Sequence, residues 1–179
     1  KLTTFKQPFF STLFTISSHN PYIIPEKYKG KFPKGNTEIQ ESIAYTDYSL
    51  RKFFKTIQKE NWYKNTLFVI TADHTSSSGT RAIDKTNVGK FRIPILFFDP
   101  SNQEFNVTDE KNFQQIDIVP SILDYLNLKT EIVSFGKSYT SKENFVVYYL
   151  QGTYHCIVDN YYLVYSNNQT IGLYDWKKD

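Results

Sequence analysis

An aspartate and a histidine stand side by side at Asp73 and His74, where the nearly apolar run LFVITA ends and a stretch rich in Thr, Ser and Gly begins. The run predicts a buried strand, and ligands in open α/β sheets bind at the carboxyl ends of strands. A carboxylate and an imidazole together suit Zn²⁺ or Mn²⁺. On spacing alone the pair is more typical of a carboxylate cap beside a surface imidazole, and its position between a buried strand and a Thr/Ser/Gly loop is what favours a metal site.

A complete metal site needs more than this pair, because zinc typically takes four ligands and a catalytic site leaves one position open. His19 lies just past the end of another predicted strand and is expected at the same edge of the sheet. Three further carboxylates could complete the site, although no spacing argument selects among them: Asp47, Asp84 and Asp99.

The elements that must position these side chains can be predicted from hydrophobic periodicity. Alternating apolar residues predict a strand over residues 8–17, directly before His19. A helix is expected over residues 36–62, capped by Asn36 or Thr37. Asp47 falls on the apolar face of this helix, so we expect it to accept hydrogen bonds from the backbone of a neighbouring loop. The alternative is a supporting role behind Asp73 and His74.

Two continuous apolar runs, TLFVITA and RIPILFFDP, are typical of strands covered on both faces. With a short helix in IDIVPSILDYLNL, the order of elements predicts an α/β fold, a mostly parallel sheet flanked by helices, over residues 1–140. Residues 141–179 contain four β-rich runs separated by Gln-Gly, Asp-Asn and Asn-Asn. These turn signals predict an antiparallel meander belonging to the same domain.

The composition of the 179 residues is that of a folded globular domain or a large piece of one, with 40% hydrophobic and 22% charged residues. The net charge of +3 is scattered, which argues against nucleic acid as a partner. Cys156 is the single cysteine, so no internal disulfide can form, and the adjacent His155 is expected to be structural. The chain opens at Lys1 and contains no Met, which predicts a processed product or an excised fragment, and no targeting signal is visible in it.

Five blocks in order resemble those of the lipoteichoic-acid-synthase-like sulfatases, which belong to the alkaline phosphatase superfamily. They are FFSTLFTISSHNPY, YTDYSLRKFF, NTLFVITADHT, GKFRIPILFFDP and QIDIVPSILDYL. The resemblance runs from about residue 7 to residue 128. The stretch FGKSY and the meander after it are similar to the carboxyl-terminal part of that family.

This resemblance implies a divalent metal (Mn, Zn or Mg) held by an upstream acidic residue, a Thr nucleophile and an Asp-His pair. The pair maps onto Asp73 and His74 as metal ligands, and His19 maps onto the histidine that contacts the substrate's phosphate or sulfate. No catalytic nucleophile maps onto this chain, because Thr3 and Thr4 lie in the wrong place and the nucleophile is expected upstream. The resemblance therefore implies the carboxyl-terminal half of a phosphotransferase- or sulfatase-type catalytic domain, inactive alone.

The same resemblance implies a parent enzyme anchored at the extracytoplasmic face of a bacterial membrane, acting on a lipid head group or an anionic polymer. Exposed sheet edges of the truncated chain would favour self-association. Two rival hypotheses remain at this point. One is a sulfatase or phosphatase for soluble sugars, with a sugar pocket formed by loops 20–35 and 75–90. The other is a noncatalytic binding or structural module that retains the fold.

Overall fold

The computed structural model describes residues 2–102, 105 and 111–178. The chain divides into two compact units, unit 1 at Lys1–Asn106 and unit 2 at Val107–Asp179. The division predicted between residues 140 and 141 stays a prediction.

The helix of unit 1, α1, spans Glu38–Ile57 and begins at the predicted cap residue Thr37. The Thr37 amide donates to Oε1 of Gln40 at 3.2 Å, which satisfies one of the amides that have no partner within the helix. The helix ends at Ile57, five residues before the predicted end at Trp62, and the chain then folds back through a short 3₁₀ turn at Tyr63–Asn65.

The core of unit 1 forms around the carboxyl end of α1. Ile57, Trp62 and Tyr63 are buried together, and partly buried apolar side chains pack against them: Leu2, Phe9, Phe53, Phe54, Phe68 and Phe98. Five of these nine side chains are phenylalanines, and their rings meet mostly edge to face, as in the Phe54–Phe68 pair at 5.2 Å and 64°. The aromatic richness of the sequence is therefore used to fill this core.

The two apolar runs form strands, but they do not pair as predicted. β1 (Phe68–Thr71) and β2 (Ile95–Phe98) are antiparallel, with Phe68 opposite Phe98. Parallel strands need a crossover connection, usually a helix. The segment between β1 and β2 has only short 3₁₀ turns, Ala82–Lys85 and Gly89–Phe91, so the second strand returns antiparallel to the first. The mostly parallel sheet is therefore not confirmed, and the α/β class is retained with an antiparallel pair.

The predicted strand over residues 8–17 is also absent, because this segment is irregular. The side chains whose alternation predicted it stay on the surface, and Phe10 and Phe14 are 86% and 68% exposed. Alternation produces a strand only where a neighbouring strand pairs with the backbone and a core covers one face. Neither condition is met here within the part of the chain that the structure describes.

Unit 2 begins with α2, Ile118–Tyr125, at the predicted position. Asp117, at the start of α2, is fully buried and accepts hydrogen bonds from the backbone amides of Gln114 at 2.9 Å and Lys137 at 2.8 Å. The Lys137 ammonium, also buried, contacts the same carboxylate at 2.7 Å. Asp117 is thus the centre of a buried ion pair that joins α2 to the chain before the meander.

The predicted meander is confirmed. Its strands lie side by side in the order β3 to β6, each antiparallel to the next: β3 Phe145–Leu150, β4 Thr153–Val158, β5 Tyr161–Ser166 and β6 Gln169–Asp175. Each predicted turn contains residues with positive φ, such as Gly152 at 83°, Asp159 at 51° and Asn167 at 49°. Gly, Asn and Asp tolerate this conformation best, which is why the turns could be read from sequence.

His155 is buried in the middle of β4, as expected for a structural residue. Its ring stacks on Tyr148 with centroids 4.6 Å apart and planes 7° apart, and its Nδ1 lies 2.6 Å from the Tyr162 hydroxyl. Burial lowers the pKa of His155 below its ordinary value of 6.5. The neutral ring is therefore the form that the folded meander accommodates.

We expect unit 2 to lose stability as the pH falls below about 6.5, because the unfolded chain then binds a proton that folded His155 resists. Above about pH 6.5 the stability that the neutral His155 ring contributes is fully present. Urea unfolding followed through amide signals of β4, at pH 7.5 and pH 5.5, would measure the difference. The His155→Phe variant should flatten this dependence, and an unchanged slope in that variant would contradict the assignment.

Candidate metal centre and anion-binding histidine

The predicted Asp-His pair lies directly after β1, on the surface of unit 1. The two side chains are 57% (Asp73) and 76% (His74) exposed, and Oδ2 of Asp73 lies 3.5 Å from Nε2 of His74. The other carboxylate oxygen, Oδ1, accepts a hydrogen bond from the His74 amide at 3.0 Å. This local bond fixes the Asp73 carboxylate beside the imidazole without using Oδ2.

The tautomer of His74 follows from its second ring nitrogen. Nδ1 lies 2.7 Å from the backbone carbonyl oxygen of Thr75. A carbonyl oxygen only accepts, so Nδ1 must carry the proton, and the neutral ring then has its lone pair on Nε2. A carbonyl that holds one nitrogen of a histidine and leaves the other free to bind is a common arrangement at metal sites.

Asp73 Oδ2 and His74 Nε2 have a separation that fits one divalent ion. With ligand distances of about 2.0–2.1 Å, two donors on a tetrahedral zinc lie roughly 3.4 Å apart. The 3.5 Å between Asp73 Oδ2 and His74 Nε2 matches this value. Within the described ranges, however, no group of three or more His, Cys, Asp or Glu side chains is placed to hold a metal ion. Asp73 and His74 thus supply two of the roughly four ligands that a zinc site needs.

His19 lies in a tight turn at the end of the irregular segment 8–17. Its Nδ1 is 2.8 Å from the carbonyl oxygen of Asn20, so Nδ1 donates and the exposed Nε2 is left for another group. The preceding residue, Ser18, is hydrogen-bonded to Thr46 on α1 with 3.2 Å between the hydroxyl oxygens. The structure does not bring His19 into a three-residue cluster with Asp73 and His74.

The other carboxylates that could have completed the site are engaged elsewhere. Asp47 is exposed and forms an ion pair with Arg51, one helical turn away, at 3.0 Å. Among the described residues, the expected hydrogen bonds from a neighbouring loop to Asp47 are not found, because its side chain is exposed rather than buried. The Arg81 guanidinium lowers the pKa of Asp84 and holds its carboxylate at 2.7 Å. Asp99 accepts from the Ser101 amide at 2.7 Å.

Sequence reasoning missed Thr75, whose backbone orients His74. The Thr75 hydroxyl donates to the carbonyl oxygen of Lys90, which ties the segment after the Asp-His pair to the end of the loop. The available signal was local: Ser and Thr side chains often bond to nearby backbone in turns. The long-range partner at Lys90 could not have been predicted from spacing.

Gly89 is the residue that allows this loop to close. It is buried, its amide donates to the Thr86 hydroxyl at 2.9 Å, and a Cβ at this position would lie 1.8 Å from the carbonyl oxygen of Ile83. Only a residue without a side chain fits this close approach of two backbone segments.

We expect Gly89→Ala to destabilise unit 1 by about 1–3 kcal/mol, because the backbone must move to make room for the methyl group. Urea unfolding would measure the loss. Lys90→Ala is the matched control, since it removes an exposed side chain and keeps the carbonyl that Thr75 contacts. A Gly89→Ala effect no larger than that of the control would contradict this account of the loop.

The family model named Sulfatase matches residues 1–128, which is more than half of the chain and includes His19, Asp73 and His74. The chain belongs to the sulfatase family. Within this family it is similar to lipoteichoic acid synthase 1 of Bacillus subtilis strain 168, at 25% identity over 161 residues, covering 80% of this chain and 25% of that protein. It is also similar to lipoteichoic acid synthase of Staphylococcus aureus strain USA300, at 27% identity over 167 residues, covering 83% of this chain and 26% of that protein.

The fold is shared with a solved structure as well. The crystal structure of Ps i-CgsB matches with a TM-score of 0.69 and 17% identity, covering 90% of this chain and 42% of that one. The predicted resemblance to lipoteichoic-acid-synthase-like sulfatases is therefore confirmed. The chain spans about a quarter of the length of the two synthases that it matches.

No helix within the described ranges is both long enough and apolar enough to span a bilayer.

Proposed function

We propose that this chain contributes part of the metal and substrate site of a phosphotransferase or sulfatase-type hydrolase that acts on phosphate or sulfate esters. The observation that carries the proposal is the distance of 3.5 Å between Asp73 Oδ2 and His74 Nε2, directly after β1 in a sulfatase-family chain. In this proposal the remaining ligands and the Thr nucleophile come from sequence outside these 179 residues, and no three-ligand group is found within the described ones.

Each residue has a defined task in this proposal. The Asp73 carboxylate and His74 Nε2 would hold the ion (Mn, Zn or Mg), with the Thr75 carbonyl keeping the proton on Nδ1 of His74. When bound, such an ion lowers the pKa of a nucleophilic hydroxyl and neutralises charge on the transferring group. His19, whose Nδ1 donates to the Asn20 carbonyl, would bind an anionic oxygen of the substrate through Nε2–H, which requires the doubly protonated ring. When protonated at Nε2, His19 could also supply a proton to the leaving group.

The substrate and location follow from the same relatives. Two of them are named lipoteichoic acid synthases, which favours a lipid head group or an anionic polymer as substrate and an extracytoplasmic, membrane-anchored parent. The 179 residues alone are proposed to be inactive, since the nucleophile is expected upstream of them. Self-association through the exposed apolar side chains of segment 8–17, such as Phe10 and Phe14, is a further proposal for the chain in isolation.

The test compares the 179-residue chain with the longer gene product from its native cells, identified first by intact mass. Both are assayed with an aryl phosphate and an aryl sulfate, before and after metal removal by a chelator. We expect only the longer protein to turn over an ester. Its activity should be lost when the metal is removed and restored by Mn²⁺ or Zn²⁺. Turnover by the 179 residues that Asp73→Ala abolishes would overturn the claim that the chain is inactive.

The same comparison addresses the noncatalytic alternative. If the longer product neither binds a divalent ion nor turns over either ester, the chain belongs to a binding or structural module and the enzymatic proposal fails. A native mass near 21.0 kDa would have the same consequence, because the product would then contain no sequence able to supply the nucleophile.

A further inference from the structure

Unit 1 contains a second concave site between α1 and the segment before it. The pocket has a volume of about 490 Å³, within the range of small-molecule sites. Its wall is formed by three tyrosines, Tyr28, Tyr45 and Tyr48, and two lysines line it, Lys27 and Lys52. None of the candidate metal or anion-binding residues is among the lining residues.

The aromatic wall is assembled by mutual ring contacts. Tyr28 lies 5.3 Å from Tyr45 and 5.5 Å from Tyr48, measured between ring centroids. Phe32 closes the cluster at 5.9 Å from Tyr45 and 5.6 Å from Tyr48. Phe32 does not itself line the pocket, but its contacts support the three tyrosine rings, so the wall needs little reordering when a ligand arrives.

The segment that carries Tyr28 is held on the helix by a polar contact. The Gly30 amide donates to Oε1 of Glu41 on α1 at 3.2 Å, and the Glu26–Lys29 ion pair lies within the segment itself. Gly30 has a φ of 70°, which lets the chain turn back toward α1 directly after the tyrosine. The position of the segment that carries Tyr28 relative to α1 is therefore set by the fold.

The charge of the pocket is positive. Lys27 lies with its ammonium 5.0 Å from the centroid of the Tyr28 ring, and Lys52 forms no ion pair with any described residue. No carboxylate is among the described residues that line the pocket. Two ammonium groups at an aromatic wall, without an acidic neighbour in the lining, favour an anionic ligand.

The chemistry of the lining narrows this ligand further. Tyrosine rings offer flat apolar faces together with hydroxyls, which suits a molecule with one apolar face and several hydroxyl groups. Lysine binds phosphate as a point charge, and sulfate carries comparable anionic oxygens. We propose that this pocket binds a sugar ring that carries a phosphate or sulfate ester, with the ring on the tyrosine wall and the ester at Lys27 and Lys52.

The position of the pocket relates it to the anion-binding histidine. Thr46, next to Tyr45 on α1, is hydrogen-bonded to Ser18, the residue before His19. One turn of α1 thus supports both the pocket wall and the segment that carries His19. The proposal adds a glycan subsite to the proposed function, but it needs neither the metal nor the nucleophile, so the two proposals can fail separately.

The test measures binding of glucose 6-phosphate and glucose 6-sulfate to the chain by titration calorimetry or by shifts of amide signals. Glucose and inorganic phosphate serve as probes for each half of the ligand. We expect both esters to bind at least tenfold more tightly than either half alone. Lys52→Ala and Tyr45→Ala should each weaken binding about tenfold, whereas Lys55→Ala, on α1 outside the lining, should leave it unchanged.

Further variants keep the test decisive. Lys27→Ala should also weaken binding, and because Lys27 is exposed, that loss cannot be attributed to a folding defect of the kind that Tyr45→Ala could cause. Asp73→Ala should bind both esters as the unmodified chain does. Equal affinity for inorganic phosphate and glucose 6-phosphate would overturn the sugar subsite in favour of simple charge attraction. Binding that Lys52→Ala leaves intact, or no saturable binding at all, would also overturn it. A loss confined to Asp73→Ala would assign the ester to the candidate metal site instead.

Discussion

Asp73→Ala is expected to lower turnover by about 10³-fold or more in a longer protein that carries this chain with the rest of its catalytic domain. A bound metal ion contributes several kcal/mol to the stabilisation of transition-state charge, and each 1.36 kcal/mol corresponds to a factor of ten in rate. Removing Asp73 deletes one of the two side chains proposed here as metal ligands, and it also deletes the acceptor of the His74 amide. Metal content and rate should therefore fall together.

The measurement is the initial rate with a phosphate or sulfate ester, together with metal content per protein. His74→Gln should show a similar loss, because it removes the Nε2 donor. Asp47→Ala is the matched control, an exposed carboxylate whose partner is Arg51. Full activity and full metal content in Asp73→Ala would show that the pair is a surface cap, the alternative that the sequence left open.

Lys137→Met is expected to destabilise unit 2 by about 3–5 kcal/mol, because it leaves the Asp117 carboxylate buried without its countercharge. The Asp117 side chain is 1% exposed and that of Lys137 is 7% exposed, so water cannot replace the lost ammonium. The substitution also removes the hydrogen bond of 2.9 Å that the Lys137 ammonium donates to the carbonyl oxygen of Phe145, at the start of β3. Loss of this one ammonium therefore affects both α2 and the meander.

Urea unfolding at pH 7 would give the free energy of unfolding, and Lys142→Met provides the control because it makes the same chemical change at an exposed position. Replacing both members, as Asp117→Asn with Lys137→Met, should cost less than the sum of the two single changes, since neither then leaves a buried charge alone. A Lys137→Met effect below about 1 kcal/mol would contradict the buried ion pair.

Features set by neighbours in sequence were the ones that sequence alone determined. The start of α1 follows from the Thr37 cap, and the meander follows from turn residues such as Asp159 and Asn167 that adopt positive φ. The Asp73-His74 pair was located at the end of β1 because a short apolar run followed by polar residues has few other interpretations. In each case the deciding hydrogen bonds or backbone preferences lie within a few residues.

What the tertiary structure alone decided depends on contacts between distant segments. Apolar content marked β1 and β2 as strands, but their antiparallel register depends on how the loop between them closes, and that includes the bond from Thr75 to Lys90. The predicted strand over residues 8–17 lacked a pairing partner, and alternation cannot reveal whether one exists. The burial of Asp117 against Lys137, twenty residues away, likewise could not be predicted from local sequence patterns. A buried ion pair depends on which segments the fold brings together.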